Sequence, residues 1–295
     1  MNAFAGYHPA VNFAYFTFVI VCSMFFTHPV CLGISALCGF LYAVKLNGKR
    51  ALTFQLLYML PTFLISALIN PAFNHEGVTI LTYLPSGNPL TLESIAYGLA
   101  AAAMLVSVIV WFSCYNAVMT GDKFIYLFGK VIPALSLVLS MALRFVPKFK
   151  AQLKVVSDAR RCVGHDVSSG SVLKRVKNGL AILSTLTTWA LENAIETADS
   201  MKSRGYGLPG RTAFSIFVFD KRDRAALAWI LATGLYTAAG SFSGAISFRC
   251  FPSVKGAALT PYGVSVFASF FGLCIMPVIL EVWEDRQWKA IRSNI

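Results

Sequence analysis

Between positions 94 and 119 the chain carries no charged side chain. A helix needs about 20 apolar residues to cross the hydrocarbon core of a bilayer. Lipid offers no hydrogen bonds, so such a segment must satisfy its own backbone, which a helix does. This run therefore reads as a membrane span. Composition agrees: 57% of the residues are hydrophobic and 13% charged, where a soluble domain carries about 25% charged residues. With a mean hydropathy of +0.65, most of the exterior is expected to face lipid.

Five further runs have the same character, at 11–26, 29–44, 51–70, 225–248 and 261–280. Thr27-His28-Pro29 is a tight corner between the first two, and Pro61 is a kink site within the third. The run 131–143 (VIPALSLVLSMAL) is short, contains a proline and is bracketed by Lys130 and Arg144. It suits a buried or re-entrant element better than a span. Charge orients the spans. Lys45, Lys49 and Arg50 mark the second loop as cytoplasmic, whereas 71–93 has no Lys or Arg and belongs outside. A fourth span then returns the chain to the cytoplasm at Lys123. If 131–143 also crossed, the most basic part of the protein would lie outside. The expectation is an all-α, multi-pass cell-membrane protein with about six spans and both termini cytoplasmic. It divides into four spans at 1–130, a cytoplasmic segment with the short element at 131–224, and two spans with a tail at 225–295. The N-terminus lacks the charged region and cleavage site of a signal peptide, so the first run is expected to be retained.

The net charge of +12 does not point to nucleic acid, because the positive charge is gathered between apolar runs. Residues 144–224 hold fifteen Lys or Arg against seven Asp or Glu. Two amphipathic helices are expected there. The first starts near Pro147, which suits a first helical turn, and ends at Gly164. Phe149, Leu153, Val156 and Val163 recur at helical spacing on it. The second runs from about Ser171 to Ser203, with a stripe of Leu173, Val176, Leu180, Leu183, Leu186, Ala190, Ala194, Ala198 and Met201. It stops at Gly205 or Gly207, residues that accept the left-handed backbone of a helix end. An arginine before such a glycine has two readings. It complements the helix dipole, or it projects from the tip toward a partner's carboxylates and carbonyls, a task that suits its planar fork.

Enzyme chemistry finds little support. The four histidines are scattered, no GxSxG or HExxH occurs, and a GxxxxGK[ST] phosphate loop is lacking, so ATP hydrolysis would fall to another subunit. The seven cysteines form no CxxC pair and mostly sit in apolar runs, where they read as small hydrophobes. No metal and no cofactor are expected. A permease that binds its own substrate would place a polar or ionisable group at mid-membrane. The span interiors offer groups such as Gln55, Asn116 and hydroxyls, which also serve helix packing.

Leu143-Arg144-Phe145-Val146-Pro147 and the run Ala-Asp-Ser-Met-Lys-Ser-Arg-Gly-Tyr-Gly-Leu-Pro-Gly-Arg at 198–211 resemble the transmembrane (T) component of energy-coupling factor transporters, importers of vitamins and transition-metal ions. The resemblance covers most of the chain. It implies two coupling helices, each ending in an Ala-Arg-Gly-type motif that docks on one of two ABC-type ATPase subunits. Movement would pass to a small substrate-binding (S) membrane subunit in the lipid bilayer. Ser203-Arg204-Gly205, followed by Tyr206, matches the second motif with Ser for Ala. At the first motif, Ala159 to Asp166 (ARRCVGHD) puts Val163 at the position of the docking arginine and keeps Gly164. Arg160 or Arg161 would serve from the preceding turn, or the contact is largely apolar. The resemblance thus makes Ser203, Arg204, Gly205, Tyr206, Arg160, Arg161, Val163 and Gly164 the ATPase-docking residues. The alternative is a stand-alone permease.

Overall fold

The computed structural model describes residues 3–83, 89–129, 132–209, 217–256 and 260–293. Lys130 and Val131, at the start of the expected short element, and Gly210 and Arg211, at the end of the expected motif, lie outside these residues. The described chain is overwhelmingly helical: α1 (Pro9–Phe25), α2 (Pro29–Asn47), α3 (Lys49–Phe54), α4 (Leu60–Phe73), α5 (Leu92–Val118), α6 (Gly121–Gly129), α7 (Pro133–Cys162), α8 (Val172–Ser203), α9 (Lys221–Phe242) and α10 (Pro261–Ser293). Two small antiparallel hairpins interrupt it, β1 (Ile80–Tyr83) with β2 (Pro89–Thr91) and β3 (Phe248–Arg249) with β4 (Lys255–Gly256). Among the described residues, five helical stretches are long and apolar enough to span a bilayer, and α1 is a shorter apolar helix beside them. The all-α, multi-pass membrane architecture expected from the sequence is the one observed.

The chain forms two compact units. The first comprises Met1–Thr120 and Phe217–Ile295, and α5 runs through it in contact with α1, α2 and α4. Trp111 on α5 is fully buried, and its Nε1–H donates to Ser35 Oγ on α2 at 2.9 Å. Ser35 shares a 2.6 Å bond with Ser23 of α1. Hydroxyls hold helices together here because no water competes for them. Close approach depends on small residues. A Cβ at Gly98 would lie 2.6 Å from the Ala67 carbonyl oxygen of α4, and one at Gly240 would lie 2.5 Å from Val266 of α10. Asp223 ties two helix starts together: its carboxylate accepts from the His8 N–H at 2.9 Å, ahead of α1, and from the Asp220 N–H at 3.0 Å in the capping box of α9. In the third span the backbone changes form just before the proline named as a kink site. Pro61 lacks an N–H, and the turn before it, Gln55–Met59, opens into a π-helix, the form in which helices absorb such a mismatch.

The second unit is Gly121–Ile216, in which α6 packs on α7 and α7 on α8. One expectation changes here. The helix expected to start at Pro147 starts at Pro133 and takes in most of the 131–143 run, with Pro147 inside it. Pro147 removes one rung of the ladder, but the turns on either side keep theirs. The apolar first half meanwhile packs on α6, where Ser136 Oγ donates to the Ile125 carbonyl at 3.3 Å.

Candidate functional site

Both long helices of the second unit end in the same backbone device. At the end of α7, the His165 N–H donates to the Arg160 carbonyl at 2.9 Å and the Gly164 N–H to the Arg161 carbonyl at 3.1 Å. At the end of α8, the Tyr206 N–H donates to the Met201 carbonyl at 3.0 Å and the Gly205 N–H to the Lys202 carbonyl at 2.9 Å. These pairs define a Schellman motif, which satisfies the orphan carbonyls of a helix end and requires a left-handed residue after the cap. Gly164 supplies it with φ +79° and Gly205 with φ +76°.

The shared geometry sets the two ends in register. Val163, at φ −90° and ψ 8°, occupies the cap position that Arg204 holds at φ −84° and ψ 9°. Cys162 then matches Ser203, and the ring of His165 matches that of Tyr206. Val163 is 73% exposed and Tyr206 48%, and Arg204 is exposed. No hydrogen bond or ion pair engages the Arg204 guanidinium among the described residues. The Ser203 hydroxyl donates back to the Asp199 carbonyl at 2.9 Å, so the end of α8 offers one forked cation on a short, stiff tip.

Arg160 and Arg161 stand differently. Arg160 is half-buried, and its Nη1 donates to the Asn178 carbonyl of α8 at 3.3 Å. Arg161 Nε lies 3.7 Å from Asp166 Oδ2. The connection between α7 and α8 is braced further. Asn178 Nδ2 donates to the Asp166 carbonyl at 3.0 Å, and Arg175 Nε donates to the Val167 carbonyl at 2.9 Å. The Ser168 hydroxyl and N–H both donate to Asp166. These bonds hold its carboxyl below the usual carboxylate range, with Arg161 adding to the effect. At the first end, then, Arg160 builds the turn, and apolar Val163 projects from it beside the largely exposed side chain of Arg161.

The helices meet through a face the sequence does not announce. Phe149 of α7 sits edge-on to Trp189 of α8 at 5.4 Å. Lys148 lies over the same indole at 5.3 Å and donates to Asn193 Oδ1 at 2.5 Å. With buried Asn178 and Ile182, Trp189 and Asn193 follow at intervals of four, seven and four residues and form the packed face. Much of the apolar stripe read from the sequence is left outside: Leu173, Val176, Leu180 and Leu183 are all exposed. A mixed face containing two asparagines gives no strong periodic signal, and only the bulk of Trp189 marks it. Among the described residues no group of three His, Cys, Asp or Glu is placed to hold a metal ion.

A multi-pass helical membrane region and a basic helix pair define an integral membrane protein rather than a soluble module. The family described as CbiQ, cobalt transport protein, matches residues 5–214. The chain therefore belongs to this family of energy-coupling factor transmembrane components. Similar proteins include those described as energy-coupling factor transporter transmembrane protein EcfT. That of Lactobacillus helveticus is 38% identical over 111 residues, covering 37% of this chain and 40% of the relative. That of Acidaminococcus fermentans is 34% identical over 126 residues, 41% of this chain and 47% of the relative. That of Staphylococcus aureus is 25% identical over 244 residues, 78% of this chain and 90% of the relative. The chain thus spans about two-fifths of the Lactobacillus protein's length and nine-tenths of the Staphylococcus one.

Proposed function

We propose that this chain is the non-catalytic energy-coupling subunit of an importer for a vitamin or a transition-metal ion. On this reading two ABC-type ATPases dock on the ends of α7 and α8 from the cytoplasm, where both termini also lie. ATP binding draws the ATPases together, and the docked helix ends follow. Helices suit such a task because packed elements shift as units between discrete arrangements. The exposed stripe of α8 then hands the movement to a small membrane subunit that captures the substrate. An apolar surface of this extent on a helix is characteristic of contact sites.

The observation that carries the reading is the matched pair of Schellman ends, with exposed Arg204 and exposed Val163 at one and the same position. Ser203, Arg204, Gly205 and Tyr206 form the second docking tip. At the first, Val163 and Gly164 make the contact while Arg160 holds the turn. The two ATPase contacts are therefore unequal, one built on a charged fork and one on an apolar side chain. Affinity purification from mild detergent tests the assembly. Two ATPases with a small membrane subunit are expected to accompany the chain, and a homo-oligomer that transports alone would overturn the reading.

A further inference from the structure

A cleft of about 800 Å³ lies where α1 and α9 begin and α2 and α10 end, a size within the ordinary range of ligand sites, about 300–1,000 Å³. Charges of both signs line it. Lys45 comes from the last turn of α2, Arg222 from the first turn of α9, and Glu281, Glu284, Lys289 and Arg292 from the last turns of α10. Some of these charges already have partners. Lys45 Nζ reaches Asp285 at 3.5 Å, and the Arg222 guanidinium lies over the Tyr7 ring at 5.9 Å.

Glu281 stands apart. The residue is only 7% exposed, and its Oε1 is buried with no hydrogen-bond partner among the described residues. The hydroxyl of buried Tyr42 shares that state. A buried carboxylate oxygen without a donor is costly. Its complement is a cationic donor. Trp283 and Trp288 line the same cleft; indole faces beside a carboxylate hold ammonium groups well, and tryptophan favours the head-group level of a bilayer. Lys289 and Arg292 lie about two and three helical turns beyond Glu281, on its side of α10 toward the helix end. Along α10 the lining thus runs from buried Glu281 through Trp283, Glu284, Asp285 and Trp288 to Lys289 and Arg292.

We infer that this cleft binds the head group of a phospholipid that carries both a primary ammonium and a phosphate, as an ethanolamine lipid does. The ammonium sits on Glu281 and the phosphate on Lys289 and Arg292. An anionic glycerol lipid fits less well, because it leaves Glu281 unanswered and meets Glu284 as a like charge. The assignment concerns a different surface from the helix ends and stands apart from the ATPase reading.

Native mass spectrometry of the detergent-purified protein tests it, with ethanolamine, choline and glycerol phospholipids of identical acyl chains. The ethanolamine lipid is expected to be retained over the other two, and Glu281→Gln to weaken that retention at least about tenfold. Lys289→Gln with Arg292→Gln should weaken all three lipids and keep their order. Equal retention of the three by the unaltered protein would overturn the proposal, whatever the variants do. So would an undiminished ethanolamine preference in a Glu281→Gln protein of unchanged helicity. Displacement of the lipid by equimolar free phosphoethanolamine would assign the cleft to a soluble ligand and overturn the lipid assignment.

Discussion

Gly164 and Gly205 hold the same left-handed backbone, yet their surroundings differ. Nothing lies within 4 Å of where a Cβ at Gly164 would sit, whereas one at Gly205 would meet Leu208 Cδ1 at 3.1 Å. An alanine at either site costs about 1–2 kcal/mol through φ alone. Gly205→Ala should therefore loosen its helix end more than Gly164→Ala. Hydrogen exchange of the amides at 205 and 206 should quicken about tenfold or more, since every 1.4 kcal/mol is a factor of ten. Equal effects at the two sites would show that the Leu208 contact is immaterial. Asp166 offers a second residue-scale test. Its depressed pKa favours the folded turn above the ordinary carboxylate value, about 3.9, and that contribution is lost as pH falls through the folded value. Ser168→Ala removes its largest support and should raise the Asp166 pKa, followed by carboxyl NMR titration. Arg204 and Gly205 are legible in sequence because a helix stop demands a residue that tolerates positive φ. The role of Arg160 is not legible. It depends on which carbonyl of α8 returns beside α7, and no local pattern records that.

At the scale of elements, the packing of spans rests on places where backbones touch. Gly98→Val should push α4 away from α5, because the obstacle is the Ala67 backbone carbonyl and not a side chain that can turn aside. Overpacking of this kind costs about 1–3 kcal/mol. Gly33, with nothing within 4 Å of a Cβ, is the control. Thermal unfolding in detergent should show a clear loss for Gly98→Val and almost none for Gly33→Val; equal behaviour would refute the close-approach argument. The spans are legible because lipid leaves the chain few alternatives to an apolar helix. Their ends are less so. The final apolar run stops at residue 280 when only hydropathy is read, but α10 continues through Glu281 to Ser293, since a helix does not need apolar residues once it leaves the hydrocarbon. Pro147 misleads in the opposite direction. The rule that proline begins helices is sound, yet a long helix with a firm ladder on each side tolerates one inside.

At the scale of the whole molecule, the proposed function makes two helix tips, chemically unequal and geometrically alike, the places where partners take hold. The 3.7 Å pair of exposed Arg161 and half-buried Asp166 contributes little to stability, and if Val163 is the docking group, Arg161→Ala should leave ATPase association nearly unchanged. Val163→Asp should weaken it by placing a charge in an apolar contact. A loss confined to Arg161→Ala would return the docking role to the arginine. The most direct measurement is on the second tip: co-purification of the ATPases with an Arg204→Glu chain, beside Arg204→Lys and the unaltered protein, with membrane insertion verified for each. Reversing the charge is expected to abolish association and uptake together. Lysine, which keeps the charge but loses the fork, should restore them only in part. Normal co-purification and normal uptake by the Arg204→Glu protein would contradict the claim.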